Sequence, residues 1–287
     1  MEITGQTRLA GLFAKPARHS ISPLLHNTAF KEKNIDARYL AFDVEPENLK
    51  TSIEAVRTLQ MLGVNLSMPH KTAALPMMDE LSEAARLIGA INTVVNHQGK
   101  LIGHNTDGIG FMASLTDAGL SVIGKEIIII GSGGAATAIT VQAALDGVKK
   151  IHVFNRKSSF FEQKREKLTD ISRQTGCEIT LEDLSDHSAM EKALETSVLL
   201  VNGTKLGMKP DEDLSPVEDL TFANDELTVC DIVYNPRQTK LLKLAKNKGL
   251  KTIDGLGMLL YQGAAAFELW TGEKMPVEKI KPLIDLK

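Results

Sequence analysis

Short apolar runs alternate with amphipathic segments along the first hundred residues of the chain. Three of these runs predict strands, at 8–14 (RLAGLFA), 37–44 (ARYLAFDV) and 62–67 (LGVNLS). Helices are predicted between them at 46–59 and at 22–34, the latter with Ser22 as N-cap and Pro23 at its first position. GAINTVVN and GKLIGHNTD then predict two strands joined by a turn at 97–99. This alternation predicts an α/β fold with a largely parallel sheet.

The pattern changes at residue 126, where a β-branched run leads into a glycine cluster. EIIIIGSGGAATAITVQAAL predicts a fully buried strand, a tight turn and a helix. KIHVFN at 150–155 follows at the spacing of a βαβ unit, further strands are predicted at 197–202 and 228–233, and the tail is predicted to be helical. We therefore expect an N-terminal α/β domain, a Rossmann-type doubly wound dinucleotide-binding domain and a cleft between them.

Length, composition and charge narrow the class of protein. At 287 residues the chain exceeds the usual size of one core, which favours two domains. A net charge of -3, without a basic stripe, argues against a nucleic-acid partner. No apolar stretch has the length of a membrane span, and no targeting segment is evident. Cys177 and Cys230 lie in apolar contexts, which predicts reduced, buried thiols in a cytoplasmic protein and neither a disulfide nor a metal site.

Three glycines, Gly131, Gly133 and Gly134, stand between the apolar strand and the alanine-rich helix. Glycine at such a turn lets a pyrophosphate approach backbone N–H groups at the helix start. In this context the turn favours dinucleotide binding, and a plain strand–helix turn is the alternative.

The end of the following strand bears on the choice of cofactor. An acidic residue there would bind the 2′-hydroxyl of NAD, whereas an arginine can bind the 2′-phosphate of NADP. The residues are Asn155, Arg156, Lys157 and Ser158. Taken alone, a basic pair without an acid favours NADP, unless both side chains are simply solvated.

The segment NLSMPHK, 65–71, contains three candidate chemical groups: the Ser67 hydroxyl, the His70 imidazole and the Lys71 amine. Hydride transfer requires a group that exchanges the alcohol proton, and a lysine can do so beside a carboxylate. Asp107, at the predicted start of a helix, offers that carboxylate. The alternatives are a solvated lysine and an aspartate that caps its helix, and His70 is interpreted as incidental.

Nine segments resemble, in order, the motifs of the shikimate dehydrogenase family. They are SISP (20–23), NLSMPHK (65–71), GAINTVV (89–95), NTDG (105–108), GSGGAA (131–136), FNRK (154–157), NGTKLGM (202–208), VYNP (233–236) and DGLGMLLYQGA (254–264). The resemblance implies reversible oxidation of shikimate to 3-dehydroshikimate. It also implies a substrate domain at 1–106, an NAD(P)-binding domain at 107–256 and C-terminal helices at 257–287 that return to the substrate domain.

The resemblance also implies roles for individual residues. Lys71 would transfer the proton, and Asp107 beside it would hold the lysine and a substrate hydroxyl. Substrate would be bound by Ser20, Ser22, Ser67, Asn92, Tyr234 and Gln262. The cofactor would be bound by Gly131, Ser132, Gly133, Gly134, Ala135, Asn155, Arg156, Lys157, Ser158, Thr204, Lys205, Met208, Val233 and Gly255.

Three departures from the commonest family pattern refine this expectation. Ser67 replaces a threonine, Lys205 follows NGT, and the strand ends in NRK. These features resemble the quinate/shikimate dehydrogenase subgroup, which accepts quinate as well and uses NAD as readily as NADP. We therefore expect NAD to be favoured, with NADP possible, and a possible homodimer.

Two other functions are compatible with such a chain. One is a nucleotide-binding regulatory relative without catalysis, which would have no chemical need for both Lys71 and Asp107. The other is a related dehydrogenase acting on methylene-tetrahydrofolate or a glutamyl-tRNA-derived substrate. The paired serines at 20 and 22, suited to a small carboxylic acid, argue against it.

Overall fold

The structure, a computed structural model, describes residues 2–285 and contains two compact units. The first unit comprises Met1–Gly110 and Leu259–Lys287, and the second comprises Phe111–Met258. Each unit contains one six-stranded sheet with helices. The predicted α/β class, with a Rossmann-type domain, is confirmed.

The first unit is built on a mixed sheet with strand order β2-β1-β3-β5-β6-β4. β1 pairs in parallel with β2 and β3, whereas β5 runs antiparallel to β3 and β6. Its elements are β1 (Arg8–Ala14), α1 (Ser22–Glu32), β2 (Ala37–Asp43), a 3₁₀ turn (Pro46–Asn48), α2 (Leu49–Thr58), β3 (Gly63–Leu66), α3 (His70–Ala73), a second 3₁₀ turn (Leu75–Met77), β4 (Glu80–Leu81), α4 (Glu83–Ile88), β5 (Thr93–His97), β6 (Lys100–His104), the start of α5 (Asp107–Asp117), the greater part of α10 (Leu256–Thr271) and α11 (Val277–Asp285).

The second unit is built on a fully parallel sheet with strand order β12-β11-β10-β7-β8-β9. Its further elements are β7 (Glu126–Ile130), α6 (Gly134–Leu145), β8 (Lys150–Asn155), α7 (Phe161–Thr175), β9 (Glu178–Asp183), α8 (His187–Thr196), β10 (Leu199–Asn202), β11 (Thr228–Asp231), α9 (Lys240–Asn247) and β12 (Lys251–Ile253). The strand order reverses between β7 and β10. In doubly wound sheets, ligands bind at the carboxyl ends of the strands that flank such a reversal.

The structure corrects the predicted start of the first helix. α1 begins at Ser22 and has Ile21 at the N-cap position, so Ser22 is not the N-cap. The backbone N–H of Ser22 instead donates to the hydroxyl of Ser20, 3.2 Å away, and Pro23 occupies the first turn. The domain limits implied by the resemblance differ by a few residues from the compact units, whose borders fall inside α5 and α10. The functional division of the chain stays a prediction.

None of the helices within residues 2–285 combines the length and apolar character needed to cross a bilayer. Both cysteines, Cys177 and Cys230, are buried free thiols, as the sequence predicts.

His26 lies in the aromatic core of the first unit. Its ring stacks on Tyr39 at a centroid distance of 4.4 Å and lies 5.2 Å from Trp270. The side chain is 1% exposed and its Nδ1 has no hydrogen-bond partner in the described part of the chain. Burial lowers the pKa of His26 to about 3, so the folded protein keeps this ring neutral.

This neutral ring makes the first unit sensitive to acid. The unfolded chain takes up a proton at residue 26 below about pH 6.5 and the folded chain does not, so stability falls as pH decreases. Between pH 7 and pH 5 the contribution of His26 to the free energy of unfolding should fall by about 2 kcal/mol. Urea unfolding of wild type and His26→Phe at both pH values measures this change in the free energy of unfolding, because phenylalanine retains a stacked ring and cannot titrate.

The exposed His97→Gln variant is the control and should keep the wild-type pH dependence. Equal pH dependence in wild type and His26→Phe would contradict the assignment.

Candidate active site

Lys71 lies just beyond the carboxyl end of β3, in the short helix α3. Backbone hydrogen bonds fix the segment that joins β3 to α3. The Ser67 N–H donates to the carbonyl of Phe13, and the His70 N–H donates to the carbonyl of Ser67. His70 is 1% exposed, and its Nε2 lies 2.9 Å from the carbonyl oxygen of Val44. His70 therefore has a packing role that the sequence did not indicate, and Lys71 is the partly exposed titratable group of this corner.

Lys71 and Asp107 form an ion pair. The Lys71 Nζ lies 2.6 Å from Asp107 Oδ2, and the two side chains are 32% and 13% exposed. Asp107 is the first residue of α5, and its Oδ1 accepts a hydrogen bond of 2.8 Å from the Asn92 amide. Both carboxylate oxygens thus bind side chains of other segments, which disfavours the alternative of a plain helix cap.

Asn92 is held in one orientation by its own neighbours. Its Oδ1 accepts hydrogen bonds from the Thr106 N–H at 2.8 Å, the Thr106 hydroxyl at 3.1 Å and the Thr93 hydroxyl at 3.0 Å. Because donors surround the oxygen, the amide nitrogen must be the atom that points at Asp107. The sequence analysis missed Thr93 and Thr106, although both lie inside recognised motifs.

A second buried amide, Asn65, extends this network. Its Nδ2 donates to the carbonyl of Asn92 and to the hydroxyl of Thr93, at 3.2 and 3.0 Å, and its Oδ1 accepts from the Tyr39 hydroxyl at 2.8 Å. Burial raises the pKa of Tyr39, and a hydrogen bond with Ser22 acts in the opposite direction. Buried polar contacts therefore connect Ser22, through Tyr39 and Asn65, with the amide that holds Asp107.

Among residues 2–285, the other predicted substrate residues of the first unit form no hydrogen bond to the Lys71 or Asp107 side chain. Ser20 and Ser22 are half-buried and adjacent, joined by the bond from backbone to hydroxyl described above. The Gln262 amide donates to the carbonyl of Leu259 at 3.0 Å. A Cβ at Gly110 would lie 2.3 Å from the Gln262 backbone nitrogen, so only glycine permits α5 and α10 to approach so closely.

The second unit contains the glycine turn at the carboxyl end of β7. Gly131 has φ of +104°, and a Cβ there would lie 3.0 Å from the Thr204 Cγ2, so this glycine is required by the protein itself. A Cβ at Gly133 or Gly134 would instead meet nothing within 4 Å. At these two positions the turn leaves open space in front of the first N–H groups of α6. Ala135 is the second residue of that helix.

This turn fits the pyrophosphate of a dinucleotide. Free N–H groups at a helix start bind anions, and the open space at Gly133 and Gly134 admits a phosphate close to the backbone. The buried Ser132 hydroxyl has no partner in the described residues and can donate to a ligand. A cavity of about 290 Å³ adjoins the turn, and its lining includes Gly131, Asn155, Arg156, Thr204 and Lys205.

The two basic residues after β8, Arg156 and Lys157, differ in their contacts. The Lys157 Nζ lies 3.7 Å from the Asp183 carboxylate and is 74% exposed, which makes a weak surface pair. Arg156 is exposed and forms no ion pair within the described chain, so its guanidinium remains for a ligand. The hydroxyl of Ser158 accepts a hydrogen bond from the Phe160 N–H and the Asn155 amide donates to the Arg156 carbonyl.

Thr204 is fixed by Asn202, which the sequence analysis did not single out. The Asn202 Oδ1 accepts from the N–H and the hydroxyl of Thr204 at 3.0 and 2.7 Å. The remaining predicted residues of this unit lie in loops. Met208 and Tyr234 are 41% and 50% exposed, whereas Val233 is buried. A Cβ at Gly255 would lie 2.3 Å from the Ile232 carbonyl oxygen. Among the residues that the structure describes, no group of three potential metal ligands occurs.

Comparison with known proteins places the whole chain in one family. The family model of the shikimate dehydrogenase substrate binding domain matches residues 12–94, and that of the shikimate 5′-dehydrogenase C-terminal domain matches residues 255–283. A shikimate dehydrogenase (NADP(+)) from Listeria innocua serovar 6a is 47% identical over 282 residues, which cover 98% of this chain and 97% of that protein.

Two solved structures resemble the chain along nearly its full length. Shikimate 5-dehydrogenase from Listeria monocytogenes, solved in complex with shikimate and NAD, is 47% identical, with a TM-score of 0.95 and coverage of 99% of this chain and 98% of that one. Quinate dehydrogenase from Corynebacterium glutamicum, in complex with NAD, is 29% identical, with a TM-score of 0.85 and coverage of 98% and 99%.

These relatives bear on two of the expectations. The similar curated protein is named for NADP(+), so the predicted preference for NAD over NADP is not supported, although dependence on NAD(P) is. Full-length similarity to named dehydrogenases likewise speaks against a non-catalytic relative and confirms the predicted enzyme class, an oxidoreductase. The chain belongs to the shikimate dehydrogenase family.

Proposed function

We propose that this protein catalyses the reversible NAD(P)-dependent oxidation of shikimate to 3-dehydroshikimate. The observation that carries the proposal is the contact of 2.6 Å between Lys71 and Asp107, held from the other side by Asn92. A lysine fixed beside a carboxylate and still one-third exposed can bind a substrate hydroxyl and exchange its proton. The bound nicotinamide would accept the hydride from the same carbon.

Each residue has a distinct part in the proposed reaction. In the reductive direction the Lys71 ammonium donates a proton to the carbonyl oxygen as that oxygen gains negative charge. In the oxidative direction the neutral amine accepts the hydroxyl proton. Asp107 orients the amine in both directions, and Asn92 prevents the carboxylate from turning away. The hydroxyls of Ser20 and Ser22 supply neutral donors for the substrate carboxylate, which sets the ring at a fixed distance from the pair.

The cofactor half of the proposal uses the glycine turn and the strand end after β8. The N–H groups at the start of α6 and the Ser132 hydroxyl would bind the pyrophosphate. Arg156, which has no competing ion pair in the described chain, would bind the 2′-phosphate of NADP. We propose that both cofactors are used, with Arg156 favouring NADP. The expected cleft and the possible homodimer remain predictions.

Replacing Lys71 tests the proton-transfer role. Lys71→Ala should lower kcat by roughly 10²–10⁴, the usual contribution of a general acid–base group. The Kd for NADP should change by less than about twofold, because no cofactor contact is assigned to Lys71. Steady-state kinetics with shikimate and fluorescence titration with NADP measure the two quantities.

The exposed Lys50→Ala variant, on α2, is the control for loss of a positive charge and should turn over like wild type. Turnover of Lys71→Ala close to that of wild type would remove this residue from the mechanism.

Replacing Arg156 tests the basis of cofactor choice. Arg156→Gln removes a charge-assisted hydrogen bond to the 2′-phosphate, so the KM for NADP should rise about tenfold or more. The KM for NAD should change little, because NAD has a hydroxyl at that position. Kinetics with both cofactors at saturating shikimate measure the ratio. Lys192→Gln, at an exposed position on α8, should leave the ratio unchanged, and an unchanged ratio in Arg156→Gln itself would contradict the assignment.

Ser67 tests whether the pocket wall contributes to acceptance of quinate, a further part of the proposal. Quinate carries an extra tertiary hydroxyl on a saturated ring, and a serine lacks the methyl group that a threonine would place against it. Ser67→Thr should lower kcat/KM for quinate relative to shikimate by roughly tenfold, since one methyl group is worth about 1–3 kcal/mol in a pocket. The same quinate-to-shikimate ratio in both proteins would rule out this role.

A further inference from the structure

Asp231, the last residue of β11, is a buried carboxyl group that neither the motifs nor the proposed mechanism uses. Its side chain is 0% exposed and burial raises its pKa. No lysine, arginine or histidine of the described chain forms an ion pair with it. Burial of an unpaired carboxyl group is costly unless hydrogen bonds compensate for the lost water.

Three donors compensate for that loss. The Asn202 amide and the Val233 N–H each donate to Asp231 Oδ1 at 3.0 Å, and the Thr239 hydroxyl donates to Oδ2 at 2.7 Å. A carboxylate accepts from all three donors, whereas an alanine at this position would leave the Asn202 amide, the Val233 N–H and the Thr239 hydroxyl without this acceptor. The surroundings therefore require a hydrogen-bond acceptor at position 231.

The three donors come from three different places at or beyond the carboxyl ends of β10 and β11. Asn202 ends β10 and fixes Thr204 through its Oδ1, and its amide also donates to the Leu206 carbonyl at 3.0 Å. Val233 begins the loop after β11. The Thr239 hydroxyl also accepts from the Leu242 N–H, which makes Thr239 the N-cap of α9.

The two loops also pack directly on each other. A Cβ at Gly207, where φ is +97°, would lie 3.1 Å from the Thr239 Cγ2 and 3.9 Å from the Asp231 carboxylate. The 203–207 segment and the 232–239 segment are therefore joined through one carboxylate and one threonine. Movement of either loop would break a buried hydrogen bond.

We propose that Asp231, together with Thr239, is a positioning residue that holds the 203–207 and 232–239 loops in the conformation that binds the nicotinamide cofactor. The inference rests on the proposed function and on the cofactor-binding roles that the resemblance to the family implies for Thr204 and Val233. Neither Asp231 nor Thr239 contacts substrate or the reacting atoms in this scheme. Asp231 acts through Asn202 and the Val233 backbone.

Paired variants at two positions test this role. Asp231→Ala and Thr239→Val should each weaken NADP binding about tenfold or more, because each removes at least one buried hydrogen bond between the two loops. Thr239→Ser, which keeps the hydroxyl, should bind NADP within twofold of wild type. Isothermal titration with NADP in the absence of substrate gives the Kd, at a temperature where each variant is folded by circular dichroism.

A control separates positioning from general loss of stability. The amide of Asn224, which precedes β11 at the opposite end of that strand, donates to the carbonyls of Leu194, Glu195 and Ser197. Asn224→Ala should lower the Tm and leave the NADP Kd unchanged.

An NADP Kd within twofold of wild type in both Asp231→Ala and Thr239→Val would overturn the inference, as would equal weakening in Asn224→Ala. Failure of the wild-type protein itself to bind NADP would instead refute the proposed function. The two failures are therefore distinguishable.

Discussion

The hydrogen-bonded register of β3, β5 and β6 determines where the ion pair of Lys71 and Asp107 forms. Asn65 in β3 pairs with Thr93 in β5, which pairs with His104 in β6. Because β5 runs antiparallel to both neighbours, the carboxyl ends of β3 and β6 and the amino end of β5 meet at one edge of the sheet. Lys71, Asn92 and Asp107 follow or precede those ends by a few residues. A shift of one residue in either pairing would separate the amine from the carboxylate.

In the second unit, strand pairing likewise determines which loops meet, here in a parallel sheet. All carboxyl ends of parallel strands lie on one side, so the loops after β7, β8, β10 and β11 gather there without long connections. Gly131 adjoins Thr204 because β7 and β10 are neighbours, and Asn202 reaches Asp231 because β10 and β11 are. Thr93 in the first unit, and Asn202 and Asp231 in the second, thus stand at strand ends. There they fix loops that the sheet alone would leave free.

The sequence could predict what depends on local pattern. Continuous apolar runs located most of the strands, and the glycine cluster located the turn, because burial and backbone freedom act within a few residues. The strands β4, β9 and β12 were not predicted, since they are short or alternate with polar residues. Thr93, Thr106, Asn202 and Asp231 were missed, since a polar residue in a strand acquires meaning only from the register that selects its partners. Chemistry alone offered Lys71 and Asp107 as candidate partners, and only the resemblance to a family favoured the pair over a solvated lysine and a helix-capping aspartate, because the 35 intervening residues carry no signal of the contact. The Ser22 cap was misplaced by one residue, because a neighbouring serine supplies the acceptor.

The expected choice between NAD and NADP depends largely on one exposed residue, Arg156. Three local departures from the family pattern pointed to NAD, whereas the lone Arg156 pointed to NADP, and the curated relative described above is named for NADP(+). Lys157 lies beside Asp183, so its charge is partly offset before any phosphate arrives, and Arg156 carries the electrostatic preference by itself. Exposed charges interact weakly in water, and an arginine–phosphate contact gains strength only when its geometry is fixed. In the proposed function, selectivity between the two cofactors would therefore depend on how firmly the loops around the cavity hold Arg156 against the 2′-phosphate.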